Sequence, residues 1–515
     1  MDDLFIMISV IKFLNAPAAG IVVILSMIQM ENRSHRAILR DLAHQAMIDK
    51  GLLPDFSPEV ENELAQIHSF VIEREGVTDL RHLLWCSIDN NDSRDLDQLS
   101  VAEKLDNGSA RLLVAIADVD QMVKKSSAID DHAHQNTTSV YTAAEVFPML
   151  PEKLSTDLTS LNLKSDRMAL VVDMQIDDFG NLQKSDVYRA VVQSRAKLNY
   201  NSVGAWIEGD EPVPDEVSAV SGMAENLQLQ DKIAQKMKDY RYGQGALDFD
   251  TTESLPVFDG DMISGLTDVQ RNRARDLIEE FMIGANESTA GYLSGHNFPC
   301  FQRVVRVPKR WSRICELAAE RGFKLNEEPD SKALQEFMQL EKAKNPDDFS
   351  DLSLSIIKLL GPGEYSVSFP GEKMTGHFGL AVRNYSHSTA PNRRYPDLTT
   401  HRLLKAAMAG NPLPYSREEL EELAAHCTLK ENDAKKVERQ VSKSAAALVL
   451  EHRIGDRFDA IVTGAADKGT WVRIIHPHVE GRVVDGYKGL DVGQRIRVEL
   501  VSTDVEMGYI DFRRV

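Results

Sequence analysis

The chain has 515 residues, 43% of them hydrophobic and 27% charged, with a formal net charge of −20. Length and composition describe a globular protein of about two to four domains with a large core, and exclude a disordered or fibrous chain. So acidic a balance excludes nucleic-acid binding by overall charge, so any phosphate-binding surface has to be local. The cysteines (Cys86, Cys300, Cys315, Cys427) are scattered, with no C-x-x-C, which points to reduced thiols and a cytoplasmic compartment.

In chain order, Leu4–Met30 is strongly apolar and carries no formal charge from Phe13 onward. Its length would allow it to span or anchor in a membrane. It has no basic n-region, Asp2 and Asp3 have the wrong sign for a secretory signal, and Pro17 and Gly20 interrupt it. Residues 1–31 are read as an overlong or disordered leader, with a membrane anchor and a packed helix as alternatives. Residues 32–79 read as helical. Ile38, Leu39, Leu42, Met47 and Ile48 form a partial stripe, Gly51 to Pro54 stop it, and a second helix is expected over Pro58–His68. A winged-helix or helix-turn-helix piece and a plain helical cap both fit.

The most informative stretch is Leu84–Leu99. A short buried strand (Leu83, Leu84, Trp85, Ile88) runs into a loop carrying Asp89, Asp92, Asp95 and Asp97. Clustered carboxylates repel and raise each other's pKa, a cost that a bound cation relieves. All-oxygen donors favour magnesium or manganese over zinc or copper. A calcium loop of the EF-hand type is excluded, because Arg94 and Ser100 stand where Gly and Glu are required. A solvated acidic loop is the bland alternative.

Residues 80–452 read as one mixed α/β region. Thr267 to Gln270 suggests a capping box opening a helix that ends near Gly295. Pro396 and Gly410 bracket another helix, and Ser416 to Glu419 caps a third. Two basic clusters could meet phosphate: Arg303, Arg306, Lys309, Arg310 and Arg313, and Arg383, Arg393, Arg394, Arg402 and Lys405. Solvated faces are the alternative for both. Residues 453–515 change to short β-rich runs (Phe458–Thr463, Thr470–Ile475, Arg495–Val501, Tyr509–Phe512) with Gly-containing turns, the pattern of an OB barrel. Phe458, Trp471 and Arg473 are candidates for base stacking and phosphate contact, with barrel core as the alternative for the two aromatics.

Several ordered motifs resemble the ribonuclease II (RNB) family over roughly residues 80–515. Asp89, Asp95 and Asp97, followed by the strand Leu112–Val119, are similar to I-D-x-x-D-A-x-D-x-D-D-A and V-A-I-A-D-V. Phe147–Leu161 resembles I-P-M-L-P-x-x-L-S-x-x-L-C-S-L, Ala196–Tyr200 resembles A-K-L-x-Y, and Leu277–Asn286 resembles L-I-E-E-F-M-x-x-A-N. Gly376–Leu380 and Ser388–Arg402 resemble G-H-F-G-L and T-S-P-I-R-R-Y-x-D-L-x-x-H-R.

The resemblance implies an α+β protein: an RNB catalytic domain over residues 80–452, preceded by the helical piece at 32–79 and followed by an RNA-binding OB barrel at 453–515. The cold-shock barrels usual in the family do not fit in so short and helical an N-terminal region, which implies a more open channel entrance. It implies a magnesium-dependent, processive 3′-to-5′ hydrolytic exoribonuclease that releases nucleoside 5′-monophosphates. Two metals would be held by Asp89, Asp95, Asp97 and Gln98, with manganese a substitute. Asp97 is expected to be indispensable, and Arg393 to steady the scissile phosphate. Tyr141, Tyr200, Glu280 and Glu438 would meet the RNA end or line the chamber around it, and Arg394, Trp471 and Arg473 are further expected RNA contacts. The choice between Glu279 and Glu280 stays open. Asp118 is expected to brace a neighbouring strand, Arg394 and Arg402 also suit pairing with acids, and His377 and His401 read as structural or RNA-facing.

The implied partner is a single-stranded RNA 3′ end, with no small-molecule cofactor, bound by a cytoplasmic monomer. Two departures stand out: Gln98 replaces the fourth motif aspartate, and Asn392 replaces isoleucine. Gln98 supports an alternative reading, an RNA-binding relative with weakened or lost catalysis.

Overall fold

The computed structural model describes residues 34–515 apart from 74, 107, 251, 252, 270, 373–375 and 383. The apolar leader and Arg383 lie outside the described residues. Two helices come first, α1 (His35–Asp49) and α2 (Pro58–Gln66). The Ser34 and Ser57 hydroxyls cap them by accepting from the Ala37 and Val60 amides, and Pro58 occupies the first turn of α2.

The core is a mixed sheet of β1 (Thr78–Asp79), β2 (Cys86–Asp89), β3 (Gln98–Lys104) and β4 (Ala110–Ala117), joined later in the chain by three further strands. Between them come α3 (Ala128–Asn136) and a two-stranded hairpin, β5 (Val140–Tyr141) and β6 (Val146–Phe147). The further strands are β7 (Asp166–Ile176), β8 (Leu182–Gln193) and β9 (Ala196–Asn199), and the sheet order is β1-β8-β7-β4-β3-β2-β9. β4 and β7 lie at its centre and are buried along most of their length, which is why Leu112–Ala117 and Met168–Val172 read as continuous apolar runs rather than alternating ones. β2 pairs in parallel with β9, with Asp89 opposite Asn199.

The helices α4 (Tyr200–Glu208), α5 (Asp215–Ser218) and α6 (Met223–Gly243) follow. A hairpin, β10 (Glu253–Asp259) and β11 (Met262–Val269), then leads into α7 (Arg273–Gly295). α7 ends where expected but does not begin at Thr267. That residue pairs with Leu255 in the hairpin, and Asn272 is the cap, its side chain accepting from the Arg275 amide. Next come β12 (Cys300–Val304), α8 (Trp311–Glu320), α9 (Ser331–Lys344), α10 (Pro346–Leu360) and β13 (Glu364–Ser368). α11 (Tyr395–Ala409) has Pro396 in its first turn and a left-handed Gly410 at its end. α12 (Arg417–Leu450) opens on the Ser416–Glu419 capping box.

The C-terminal strands β14 (Arg457–Ala466), β15 (Gly469–Ile474), β16 (Val479–Asp485), β17 (Arg495–Asp504) and β18 (Tyr509–Arg514) close into a barrel. Gly481 permits that closure, since a Cβ there would lie 2.4 Å from the Phe512 ring. Phe458 is buried in the barrel core, 6.3 Å from Phe512 between ring centroids, so it is not a stacking platform for bases. The fold class is therefore α+β, with a helical N-terminal region and a C-terminal OB-like barrel.

Both basic clusters read from the sequence are largely consumed internally. Arg402 is bound by Asp120 at 2.9 Å and Asp130 at 2.8 Å, Lys405 by Asp118 at 2.9 Å, and Arg394 by Asp397 at 2.7 Å. In the first cluster, Arg303 meets Glu431 at 2.6 Å and Arg310 meets Asp491 of the barrel at 2.9 Å. Arg313 donates to the Val492 carbonyl at 2.8 Å. Arg394 is held locally, by an acid one helical turn on, whereas Arg303, Arg310, Arg402 and Lys405 tie elements together because acids distant in sequence fold back onto them. Asp118 also meets Arg189 at 3.3 Å, a bracing role across the sheet. No described helix is long and apolar enough to cross a membrane.

Candidate active site

The acidic loop joins two adjacent strands. Asp89 ends β2, and Asp97 immediately precedes β3. The turn before α11 arrives from about 300 residues further along the chain. There the Asn392 amide donates to Asp97 Oδ1 at 2.9 Å, and Arg393 Nε lies 3.2 Å from Asp97 Oδ2. Asp97 is 1% exposed, whereas Arg393 keeps 41% of its side chain open to solvent. The pair thus has a buried carboxylate end and an accessible guanidinium end. Burial pushes the Asp97 carboxyl up to about 7, with Asp95 adding to the rise and Arg393 opposing it. Burial also raises Asp89, again with a contribution from Asp95.

Tyr141 ends β5. Its hydroxyl donates to Asp95 Oδ2 at 3.1 Å, and its backbone amide donates to Glu438 Oε1 of α12 at 3.0 Å. The hairpin is held to the arginine turn by the Ser139 amide donating to the Arg393 carbonyl at 3.0 Å and the Tyr395 amide donating to the Thr137 carbonyl at 2.8 Å. Tyr200 opens α4 directly after β9, so the β2–β9 register brings it to the Asp89 end of the sheet. Burial raises its hydroxyl to about 12, with Asp89 contributing. Arg275 lies 4.5 Å over the Tyr200 ring and donates to Asn90 at 3.1 Å. One face of Tyr200 is therefore already covered by a cation.

The structure therefore brings Asp89, Asp95, Asp97, Arg393, Tyr141, Tyr200 and Glu438 to one region. Gln98, 8% exposed, is the first residue of β3. Asp92 lies exposed on the loop. Glu280 is 3% exposed and paired with Arg241, while Glu279 is exposed and paired with Arg271. The Arg394 guanidinium is turned toward Asp397 and Thr389. His377 accepts from the Leu380 amide, and His401 bonds the Ser388 carbonyl. Trp471 and Arg473 lie half-buried on β15 of the barrel. Sequence reasoning assigned no role to Lys197, which donates to the Ser93 carbonyl at 2.6 Å, or to Arg275. Lys197 stands inside the A-K-L-x-Y motif, which was the available signal.

The donor set suits a hard divalent cation: carboxylates without His or Cys, of which Asp89 and Asp97 are raised chiefly by burial, a cost that a bound cation would relieve. Each carboxylate already carries a protein donor, with Ser93 Oγ 2.9 Å from Asp89 as the counterpart of Tyr141 on Asp95. Among the described residues no three His, Cys, Asp or Glu side chains converge in a ready-made metal cage.

Residues 77–410 match the model of the RNB domain, and residues 456–515 match that of the RNase II-type exonuclease C-terminal S1 domain. The chain belongs to the RNB family. Among curated RNB relatives it is 30% identical over 504 residues to Ribonuclease R 1 of Lactococcus lactis, covering 91% of this chain and 60% of that one. It is 32% identical over 473 residues to Ribonuclease R of Escherichia coli, covering 87% and 57%. Against Ribonuclease R of Aquifex aeolicus it is 30% identical over 506 residues, covering 92% and 70%. The chain thus spans about 60% of the length of the first two.

Its RNB fold matches Mycoplasma genitalium RNase R, solved in complex with ribose-methylated single-stranded RNA, with a TM-score of 0.82 at 23% identity, covering 92% of this chain and 77% of that one. It also matches yeast Ssd1, described as a pseudonuclease, with a TM-score of 0.68 at 16% identity, covering 86% and 55%. The RNB fold by itself therefore does not decide catalysis.

Proposed function

We propose that this chain is a metal-dependent, processive 3′-to-5′ exoribonuclease that hydrolyses single-stranded RNA to nucleoside 5′-monophosphates. The observation that carries the reading is the Arg393–Asp97 pair at 3.2 Å, which joins the acidic loop to an accessible guanidinium. Asp89, Asp95 and Asp97 would hold magnesium, with Gln98 a weaker oxygen donor beside them. Bound there, the metal would supply Lewis acidity and a water of lowered pKa. Arg393 would grip two phosphate oxygens through its planar donors while Asp97 fixes its angle. Tyr141, 43% exposed, would pack against the terminal nucleotide. Tyr200, at the Asp89 end of the sheet, would guide the terminal nucleotides. Glu438 would orient Tyr141 through the backbone amide. Contacts to the 2′-hydroxyl would select RNA over DNA.

The second reading is an RNA-binding relative that no longer cuts. Gln98 favours it by removing one negative charge from the cluster. A time course on 5′-labelled single-stranded RNA, in magnesium and in manganese, separates the two. Rapid conversion to a short end product with few intermediates, abolished in Asp97→Asn, supports the nuclease. A wild type inert in both metals, with cleavage restored by Gln98→Asp, supports the second reading.

A further inference from the structure

A loop that crowds carboxylates between two adjacent strands needs something to hold its backbone against their repulsion. The segment Thr159–Leu161 does so, bonded both to the loop and to the turn that carries Arg393. Ser160, fully buried, donates from Oγ to the Arg94 carbonyl at 2.8 Å and accepts from the Leu96 amide at 3.0 Å. Those two groups flank Asp95. The Leu161 amide adds a bond to the Leu96 carbonyl at 2.9 Å.

Thr159, 2% exposed, holds the other half of the site. Its Oγ1 lies 2.5 Å from Asn392 Oδ1 and 2.8 Å from the Leu154 carbonyl. Asn392 is the residue whose backbone amide binds Asp97 and whose neighbour is Arg393. Its side chain is 1% exposed, and Nδ2 is buried with no hydrogen-bond partner among the described residues. An aliphatic side chain of similar size would avoid that cost. Asn392 stands where T-S-P-I-R-R-Y has isoleucine, and Thr159 where I-P-M-L-P-x-x-L-S-x-x-L-C-S-L has cysteine, so a departure from each of two motifs meets in one contact.

We propose that Thr159 and Ser160 form a clasp that sets the geometry of the carboxylate loop relative to Arg393. Ser160 fixes the backbone on both sides of Asp95, and Thr159 locks the Asn392 turn that presents an amide and a guanidinium to Asp97. Both are positioning residues. The proposal rests on the reading of the acidic loop as the metal-binding centre of a nuclease.

The test uses the full chain and its Thr159→Val, Thr159→Ser, Ser160→Ala, Asn392→Leu and Thr159→Val/Asn392→Leu variants. It measures manganese binding by calorimetry, kcat and KM on single-stranded RNA, and Tm in EDTA. Thr159→Val and Ser160→Ala are expected to weaken manganese binding about tenfold and to lower kcat with KM unchanged. Thr159→Ser, which keeps the hydroxyl, is expected to behave as wild type. The double variant is expected to be no worse than the worse single one, because both remove the same contact. Variants that lower Tm while leaving manganese affinity and kcat untouched overturn the clasp, as does a double variant whose loss is the product of the single losses. A wild type that binds manganese without cutting RNA, with binding weakened in Thr159→Val, overturns the nuclease reading and supports the clasp. A wild type that neither binds manganese nor cuts overturns both.

Discussion

Asp97 carries opposing demands at the residue scale. It is buried beneath Arg393, and burial holds its proton to about pH 7 against an ordinary 3.8. The native chain therefore binds that proton more tightly than the unfolded chain does. Stability should fall as pH rises from about 4 to about 7 and level off above, by at most about 4 kcal/mol. In EDTA, the stability of wild type relative to Asp97→Asn should decline over that range, as measured by denaturant melts at each pH. A flat difference would mean that Asp97 is ionised throughout. Gln98→Asp adds a charge beside this group at a site 8% exposed. It should lower the magnesium concentration needed for half-maximal cleavage by about threefold or more, and lower the melting temperature in EDTA, because another carboxylate then repels its neighbours when no cation is present.

At the scale of elements, the N-terminal helix is part of the site's support. Leu39, Ala43, Ala46 and Met47 of α1 share a buried cluster with Val140 and Phe147 of the Tyr141 hairpin and with Ala434, Val437 and Val441 of α12. Lys430 Nζ and Gln135 both donate to the Gly51 carbonyl just beyond α1, and the Leu53 amide donates to Asn136 at 2.8 Å. Leu39→Ala should cost about 2–5 kcal/mol in denaturant unfolding, since Leu39 is fully buried. Because α1 backs the hairpin, the same change should blur the length of the final RNA product on a sequencing gel. A stable variant with an unchanged end product would argue that the hairpin holds Tyr141 without α1.

At the scale of the whole molecule, a net charge of −20 is compatible with an RNA substrate only if contacts are concentrated. Most of the arginines that looked available are spent on joining elements: Arg310 and Arg313 fasten α8 to the barrel, and Arg402 fastens α11 to Asp120 and to Asp130 of α3. Specific aromatic contacts should therefore matter more than bulk charge. Trp471→Ala should weaken binding of a long single-stranded RNA about fivefold to tenfold, in line with the loss of about 1 kcal/mol or more of stacking. It should leave kcat unchanged, and leave binding unchanged for an RNA too short to reach the barrel. Filter binding on two RNA lengths tests this, and equal losses on both lengths would reject a role for the barrel as a distal RNA contact.

The acidic cluster, the ordered motifs and the β-rich C-terminus were legible from residues alone, because local spacing determines strand ends, caps and turns. So were the helix from Pro396 to Gly410 and the capping box at Ser416. The cap of α7 was misplaced, since Thr267 has good capping chemistry but is held in a hairpin by Leu255, a pairing that propensity does not encode. Which arginine stays exposed was likewise invisible. Arg393 and Arg394 are adjacent in sequence, yet Asp397 one helical turn on takes Arg394, while Arg393 turns to Asp97, about 300 residues earlier in the chain. Ser160 and Thr159 were hidden for the same reason: a small hydroxyl in an apolar run looks ordinary until folding sets it beside the backbone it binds. The sequence by itself determined the family, the run of carboxylates in the acidic loop and the order of the RNB domain and the barrel. Tertiary structure decided which charges are spent on cohesion and which are left for a substrate, because burial and pairing depend on partners that meet only in the folded chain.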